Sequence, residues 1–191
     1  MKYLIILLPV LSLFSCDSDD DNSLSPQVNQ EYFDEVLGRY VLKTAYTDMP
    51  IDFNGDGVEG TDFFEEIPYC GFTLLLQSYD CTIVDRTSYQ EIAFDVSYSN
   101  YTNDPRVYLN CMSHKDLFSS IVIDSMDESI ALETTEYEEN FMLSEYKTKI
   151  LDFQWEDRVV YLTLEQEFYM PDGEWKTVIM NLEYEWVRSE T

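Results

Sequence analysis

The sequence predicts an all-β domain: an antiparallel up-and-down barrel with one short N-terminal helix or, alternatively, a two-sheet β-sandwich. Three observations carry this. From Arg39 onward apolar residues recur mostly at every second position, the period of a strand with one buried face. About ten such runs follow one another with short polar punctuation, a hairpin rhythm that favours the barrel. No strand–helix–strand alternation interrupts them, so a parallel sheet is not expected. With 45% hydrophobic and 15% aromatic residues in 191, the chain has the material for one well-buried core.

Taken in order, Ser25-Pro26 offers an N-cap followed by proline at the first helical position. Val28, Tyr32, Phe33, Val36 and Leu37 then share one helical face, and Gly38 stands where such a helix ends. This helix is expected to plug or cap the β structure. In the first strand Tyr40, Leu42, Thr44 and Tyr46 alternate with Arg39, Val41, Lys43 and Ala45. Further strands are predicted over residues 72–79, 81–86, 89–98, 107–112, 119–124, 129–135, 145–153, 158–169 and 175–188. The last two form the clearest hairpin, because Met170-Pro171-Asp172-Gly173 puts proline and glycine where a type I turn favours them. In the final strand Val178, Met180, Leu182, Tyr184 and Trp186 share a face, opposite Thr177, Asn181, Glu183 and Glu185. The sequence has no internal repeat.

The first residues stand apart from the domain. Lys2 precedes an apolar run from Leu4 to Phe14, the outline of a signal peptide over residues 1–15 and too short for a stable membrane span. Leu13-Phe14-Ser15-Cys16 resembles a bacterial lipobox. The resemblance implies cleavage before Cys16, acylation of that cysteine and a membrane surface as its partner. Each buried CH₂ of such chains contributes about 0.8 kcal/mol. Residues 16–29 are rich in Asp, Ser and Asn and read as a disordered acidic tether, ahead of a domain over 30–191. Asp17-Ser18-Asp19-Asp20-Asp21 is similar to the export signal of surface lipoproteins of Bacteroidota, which implies the outer face of the outer membrane. The alternative is a plain spacer on the periplasmic face. Across the chain 38 acidic residues face 11 basic ones, a net charge of −27, so nucleic acid is excluded as a partner.

Gly38-Arg39-Tyr40 is similar to the Gly-x-Trp opening of lipocalin-like proteins, with Tyr in place of Trp. Asp52-Phe53-Asn54-Gly55-Asp56-Gly57 follows, then Thr61-Asp62-Phe63-Phe64-Glu65-Glu66, then Cys70. Together with the lipobox, this order resembles the lipocalin-like surface lipoproteins of Bacteroidota. The resemblance covers the N-terminal third closely and the later strands as a pattern. It implies a lipocalin-like barrel and supplies no activity.

Read on its own residues, the aspartate loop has the spacing of a calcium loop. Asp52, Asn54 and Asp56 supply side-chain oxygens at positions 1, 3 and 5, Gly57 allows the turn at 6, and Val58 offers its carbonyl at 7. Phe63 stands at position 12 in place of the bidentate Glu. A helical turn from Asp62, ended by Pro68, is expected to swing Glu65 or Glu66 back, and Asp62 and Glu66 complete the expected set. Calcium is therefore the expected cofactor, in a structural role. The alternative is turn chemistry alone, since Asn54-Gly55 and Asp56-Gly57 are turn dipeptides.

Beyond Cys16, Cys70, Cys81 and Cys111 are the disulfide candidates of an exported chain, with each pairing open and one thiol left over. Their spacing does not suit zinc. His114, the only histidine, reads as a loop residue, and Cys111 beside it lacks an orienting third group. With no phosphate loop and no serine elbow, an enzyme is not expected. Trp155, Trp175 and Trp186 read first as core and second as cavity wall. The expected function is a non-enzymatic binding protein holding a small apolar or amphipathic ligand inside the barrel. The alternatives are a structural or accessory subunit of an outer-membrane complex and a cell-surface glycan-binding module. Lumen volume, apolar patches and exposed ring pairs separate them.

Overall fold

Strand pairing follows chain order almost throughout the computed structural model, which describes residues 29–67, 80–99 and 112–187. The strands are β1 (Gly38–Ile51), β2 (Gly60–Asp62), β3 (Asp80–Arg86), β4 (Tyr89–Ser99), β5 (Met112–Asp124), β6 (Ser129–Leu132), β7 (Thr148–Glu156), β8 (Val159–Tyr169) and β9 (Trp175–Val187). The helices are α1 (Gln30–Val36), α2 (Phe63–Glu66) and α3 (Glu136–Tyr146). Eight strands pair in the order β6-β5-β4-β3-β1-β9-β8-β7, with β2 appended to β1, and every pair is antiparallel. The first strand meets the last from Arg39↔Val187 to Thr47↔Met180. The result is the expected up-and-down barrel, nearly closed: only β6 and β7 are unpaired neighbours, and the chain crosses between them through α3.

The two-residue period places the core. Val160, Leu162, Leu164 and Phe168 of β8 and Val178, Met180, Leu182 and Tyr184 of β9 are buried, together with Ile83 of β3, Ile92 and Phe94 of β4 and Leu117 and Ile121 of β5. In β1 the inner set is Tyr40 and Leu42, then Ala45 and Thr47. A bulge between Leu42 and Thr44 shifts the register by one residue, so Tyr46 faces solvent instead of continuing the Tyr40 face. Pro171 and Gly173 form the predicted turn, with Gly173 N–H donating to the Met170 carbonyl at 3.0 Å.

Helix α1 plugs one end. Asn29 is its N-cap, its side chain accepting from Tyr32 N–H at 3.2 Å, and Leu37 is its C-cap. The predicted start at Ser25-Pro26 lies outside the described residues. Gly38 opens β1 with φ of 145°, where a Cβ would stand 2.6 Å from Trp186 Nε1, so its smallness serves the strand as well as the helix end. Buried Tyr40 then locks three elements. Its hydroxyl donates to the Val36 carbonyl at 2.5 Å and accepts from Trp155 Nε1–H at 2.8 Å. Burial raises the Tyr40 phenol well above its ordinary value, which keeps that proton in place. The ring of Tyr32 meets Trp155 edge-on, and Arg158 bonds Glu35 at 3.1 Å.

Two readings of the sequence are corrected. Beside the N-terminal helix and the helical turn after Asp62, a third helix stands among the described residues: residues 136–146 form α3, and the strand predicted over 145–153 begins only at Thr148. The strand predicted over 119–124 extends back to Met112, so His114 lies on β5 and not in a loop. The strand predicted over 72–79 and most of that over 107–112 fall outside the described residues.

Tyr40→Phe removes a hydroxyl that satisfies the buried Val36 carbonyl and the half-buried Trp155 N–H. Such a loss costs about 1–3 kcal/mol. The expected outcome is a lower urea midpoint with an unchanged m-value.

Candidate functional site

The segment between β1 and α2 folds around one carboxylate. Asp52 Oδ1 accepts from Gly55 N–H at 2.6 Å and Asp56 N–H at 3.1 Å, while Oδ2 accepts from Gly57 N–H at 2.9 Å. Asn54 Oδ1 accepts from Asp56 N–H at 2.9 Å, and Asp56 Oδ1 accepts from Val58 N–H at 2.8 Å. Gly57 takes φ of 86°, as the sharp turn at that position requires. Asn54 Nδ2 donates to the Glu65 carbonyl at 3.4 Å, joining the loop to α2.

Helix α2 starts at the Asp62 cap, whose side chain accepts from Phe64 N–H at 3.0 Å, and one turn later delivers Glu66. That residue is only 5% exposed, and its Oε2 has no hydrogen-bond partner. Burial, then the charges of Asp56 and Asp52, raises its carboxyl above the usual range, against a hydrogen bond from the Phe53 backbone. Gly60 lies directly beneath it: a Cβ there would sit 2.5 Å from Glu66 Oε1. The expected metal residues are thus sorted. Asp52, Asn54, Asp56 and Glu66 surround one loop, Asp62 is occupied as a helix cap, and the Val58 side chain is exposed. Among the described residues no three His, Cys, Asp or Glu side chains already converge at metal-binding spacing.

The apolar half of this segment closes the barrel end opposite α1. Phe53 and Phe63 are each 1% exposed and meet edge-on at 5.6 Å between centroids; Phe53 also meets Phe168 at 4.8 Å. A lumen cavity lined by Leu42, Ala45, Phe63, Leu164, Met180 and Leu182 measures only about 10 Å³, room for one water at most. The ligand expected inside the barrel has no room in that cavity.

The larger hollows lie outside, on either side of α3. Its N-terminus is fixed by a reciprocal capping box: Thr135 accepts from Glu138 N–H at 3.2 Å, and Glu138 Oε2 accepts from Thr135 N–H at 2.6 Å. Its other end is tied down by buried Gln166, whose Nε2–H donates to the Tyr146 carbonyl at 2.8 Å and whose Oε1 accepts from Thr148. One cleft, of about 310 Å³, opens at the β6–β7 seam and is lined by Ile130, Leu132, Glu139, Met142, Ile150 and Phe153 among others. The second, of about 250 Å³, lies between α3 and β5 against Leu117, Phe118, Tyr137, Phe141 and Tyr146, with Asp116 and Glu138 also lining it. Met142 lines both. Tyr137, 78% exposed, stacks on Phe141 at 6.5 Å and 19°, and Lys115 sits 5.6 Å over the Tyr146 ring.

This region was missed in the sequence. Residues 136–146 bury only Met142 and have no apolar stripe, although the Thr135-x-x-Glu138 box marks the helix start. Among the described residues Cys81 is a free thiol, wholly buried on the inner face beside Tyr40 and Phe94. Cys70, Cys111 and the lipidation candidate Cys16 lie outside the described residues. Among the described residues no helix is long and apolar enough to cross a membrane. No family model, curated protein or solved structure matches this chain.

In a Cys70→Ser, Cys111→Ser background, Cys81 is expected to resist a maleimide in the native state and to react in urea. Burial raises its thiol well above the ordinary range and removes access. Mass spectrometry of the adduct checks this; rapid native labelling would contradict the assigned inner face.

Proposed function

We propose that this chain is a lipid-anchored, non-enzymatic binding protein of the outer-membrane surface. It takes a small apolar or amphipathic ligand on its wall around α3 instead of in its lumen. The observation that carries the reading is the contrast in free space: about 10 Å³ in the cavity inside, against clefts of about 310 and 250 Å³ beside α3. Ligand pockets begin near 300 Å³ and combine apolar walls with a few polar groups. The α3–β5 cleft has that composition, with rings along its walls and the carboxylates of Asp116 and Glu138 among its lining. The anchor rests on the lipobox ending at Cys16, and membership of the lipocalin-like surface lipoproteins of Bacteroidota rests on the motif order given above.

Nile red, a neutral probe, tests the site, since an acidic chain disfavours anionic dyes. Saturable binding is expected. Phe141→Ser and Phe118→Ser should weaken it at least about tenfold, as the loss of a buried ring contact implies. Both residues are about half exposed, at 44% and 52%, so the melting temperature should stay close to wild type. Undiminished binding in both variants would move the site elsewhere. The near-parallel Tyr137–Phe141 pair specifically favours a second reading, glycan stacking. Soluble oligosaccharide binding that is lost in Tyr137→Ala, with no saturable probe binding, would put that reading first.

The anchor has its own test. Cys16→Ala is expected to move the chain from the membrane fraction to the soluble fraction and from the detergent to the aqueous phase on Triton X-114 partition. A variant that stays in the detergent phase would remove the lipid anchor from the reading.

A further inference from the structure

We propose that the loop after β1 is a calcium site in which Asp52, Asn54 and Asp56 supply side-chain oxygens and buried Glu66 supplies a carboxylate from α2. The acidic spacing alone does not carry this. The independent observation is Glu66 itself, 95% removed from solvent (5% exposed) with Oε2 unpartnered. An ionised carboxylate in such a place costs several kcal/mol unless something positive faces it. Among the described residues no salt bridge reaches it: those present, such as Arg39–Asp80, Lys43–Glu185 and Arg158–Glu35, lie elsewhere. What stands closest electrostatically is two further carboxylates, Asp56 and Asp52. Three acids and an amide oxygen on one short loop are a liability for the chain alone, and a hard divalent cation would draw these donors together to the metal-binding spacing they do not yet have.

The oxygen count suits calcium. One oxygen each from Asp52, Asn54, Asp56 and the Val58 carbonyl, with two from Glu66, reaches the lower end of the six to eight that calcium takes. The Asp52 carboxylate already accepts three backbone N–H bonds, and a carboxylate has about four lone-pair sites, so a coordination position is left. Magnesium demands near-ideal octahedral geometry and keeps its waters, and zinc prefers the His and Cys that this loop lacks. Asp62 is not a ligand, because capping α2 is what aims Glu66 inward. Phe53 lies between Asp52 and Asn54, and Phe63 begins α2, so the cation would join the two segments that seal this end of the barrel.

The test is calorimetric titration of the full-length chain with calcium chloride and, separately, magnesium chloride, with a thermal melt in each. A single calcium site is expected with a Kd of about 0.1–1 mM, the range of extracellular calcium modules, and a melting temperature raised by calcium and not by magnesium. Glu66→Gln, which keeps the shape and removes the buried charge, should lose at least about tenfold in affinity while melting no lower than wild type without metal. Asp56→Asn, at an exposed position, should do the same and serves if Glu66→Gln folds poorly. Asp127→Asn, in the turn at the α1 end, should bind like wild type. Equal responses to the two metals, or undiminished calcium binding in both loop variants, would overturn the site and leave the loop as turns. Neither outcome touches the clefts around α3, which the dye titration tests separately.

Discussion

The pairing of β1 with β9 is the constraint on which the rest of the molecule depends. A meander of strands leaves its first and last strands as free edges until they meet, and here they meet from Met180 to Val187, eight of the thirteen residues of β9. β1 also hydrogen-bonds β3 and β2 on its other side. Its flanks carry both plugs: α1 immediately before it and the Phe53–Phe63 segment immediately after it. One strand therefore closes the wall and positions the two lids. The bulge after Leu42 fits this role, because it turns Ala45 and Thr47 inward and leaves the end of the strand free to leave the wall for the loop.

The seam between β6 and β7 is the complementary weakness. Both edges present backbone groups without a partner strand, a geometry that invites pairing with other chains. Three features blunt it. β6 is only four residues long, β7 is bulged between Ile150 and Asp152, and α3 lies against β7 and β5. The inner side chains Ile130, Leu132, Ile150 and Phe153 pack toward one core and hold the edges by burial where hydrogen bonds are missing. The acidic surface adds a general deterrent, since like-charged copies repel.

Much of the barrel was legible because period-two alternation survives wherever one face is buried and the other wet. β8 and β9, with the turn at Pro171 and Gly173, follow the sequence pattern residue for residue. The parts that were not legible each have a physical cause. The bulge in β1 inverts the faces after Leu42 without any change in local composition. α3 has Glu, Tyr, Phe and Leu on all sides because only Met142 is buried, so no helical stripe exists to be read; its capping box was the single local signal. Compartment and count marked Cys81 as a disulfide candidate; that it lies in the core follows only from its register opposite Tyr40 and Phe94. In the loop, the spacing gave Asp52, Asn54 and Asp56 and the expected set named Glu66; that Glu66 is buried and Glu65 exposed depends on which side of a four-residue helix faces inward.

Both ends of the barrel are plugged by its own aromatics, and the cavity beside Leu42, Phe63 and Met180 is the size of one water. Most of the outer wall is hydrogen-bonded sheet with polar residues outward, a surface with little concavity. Only where the wall is not closed by backbone pairing does an element of another kind, α3, lie across it, and a helix laid on strands leaves grooves along both sides. The clefts and the seam therefore share an origin: the missing β6–β7 ladder creates both. Exposed rings gather there because α3 is held by its two ends, through Thr135 and Gln166, and otherwise by buried Met142 and half-buried Tyr146. Tyr137, Phe141 and Leu143 stay exposed, an apolar surface that folding does not consume.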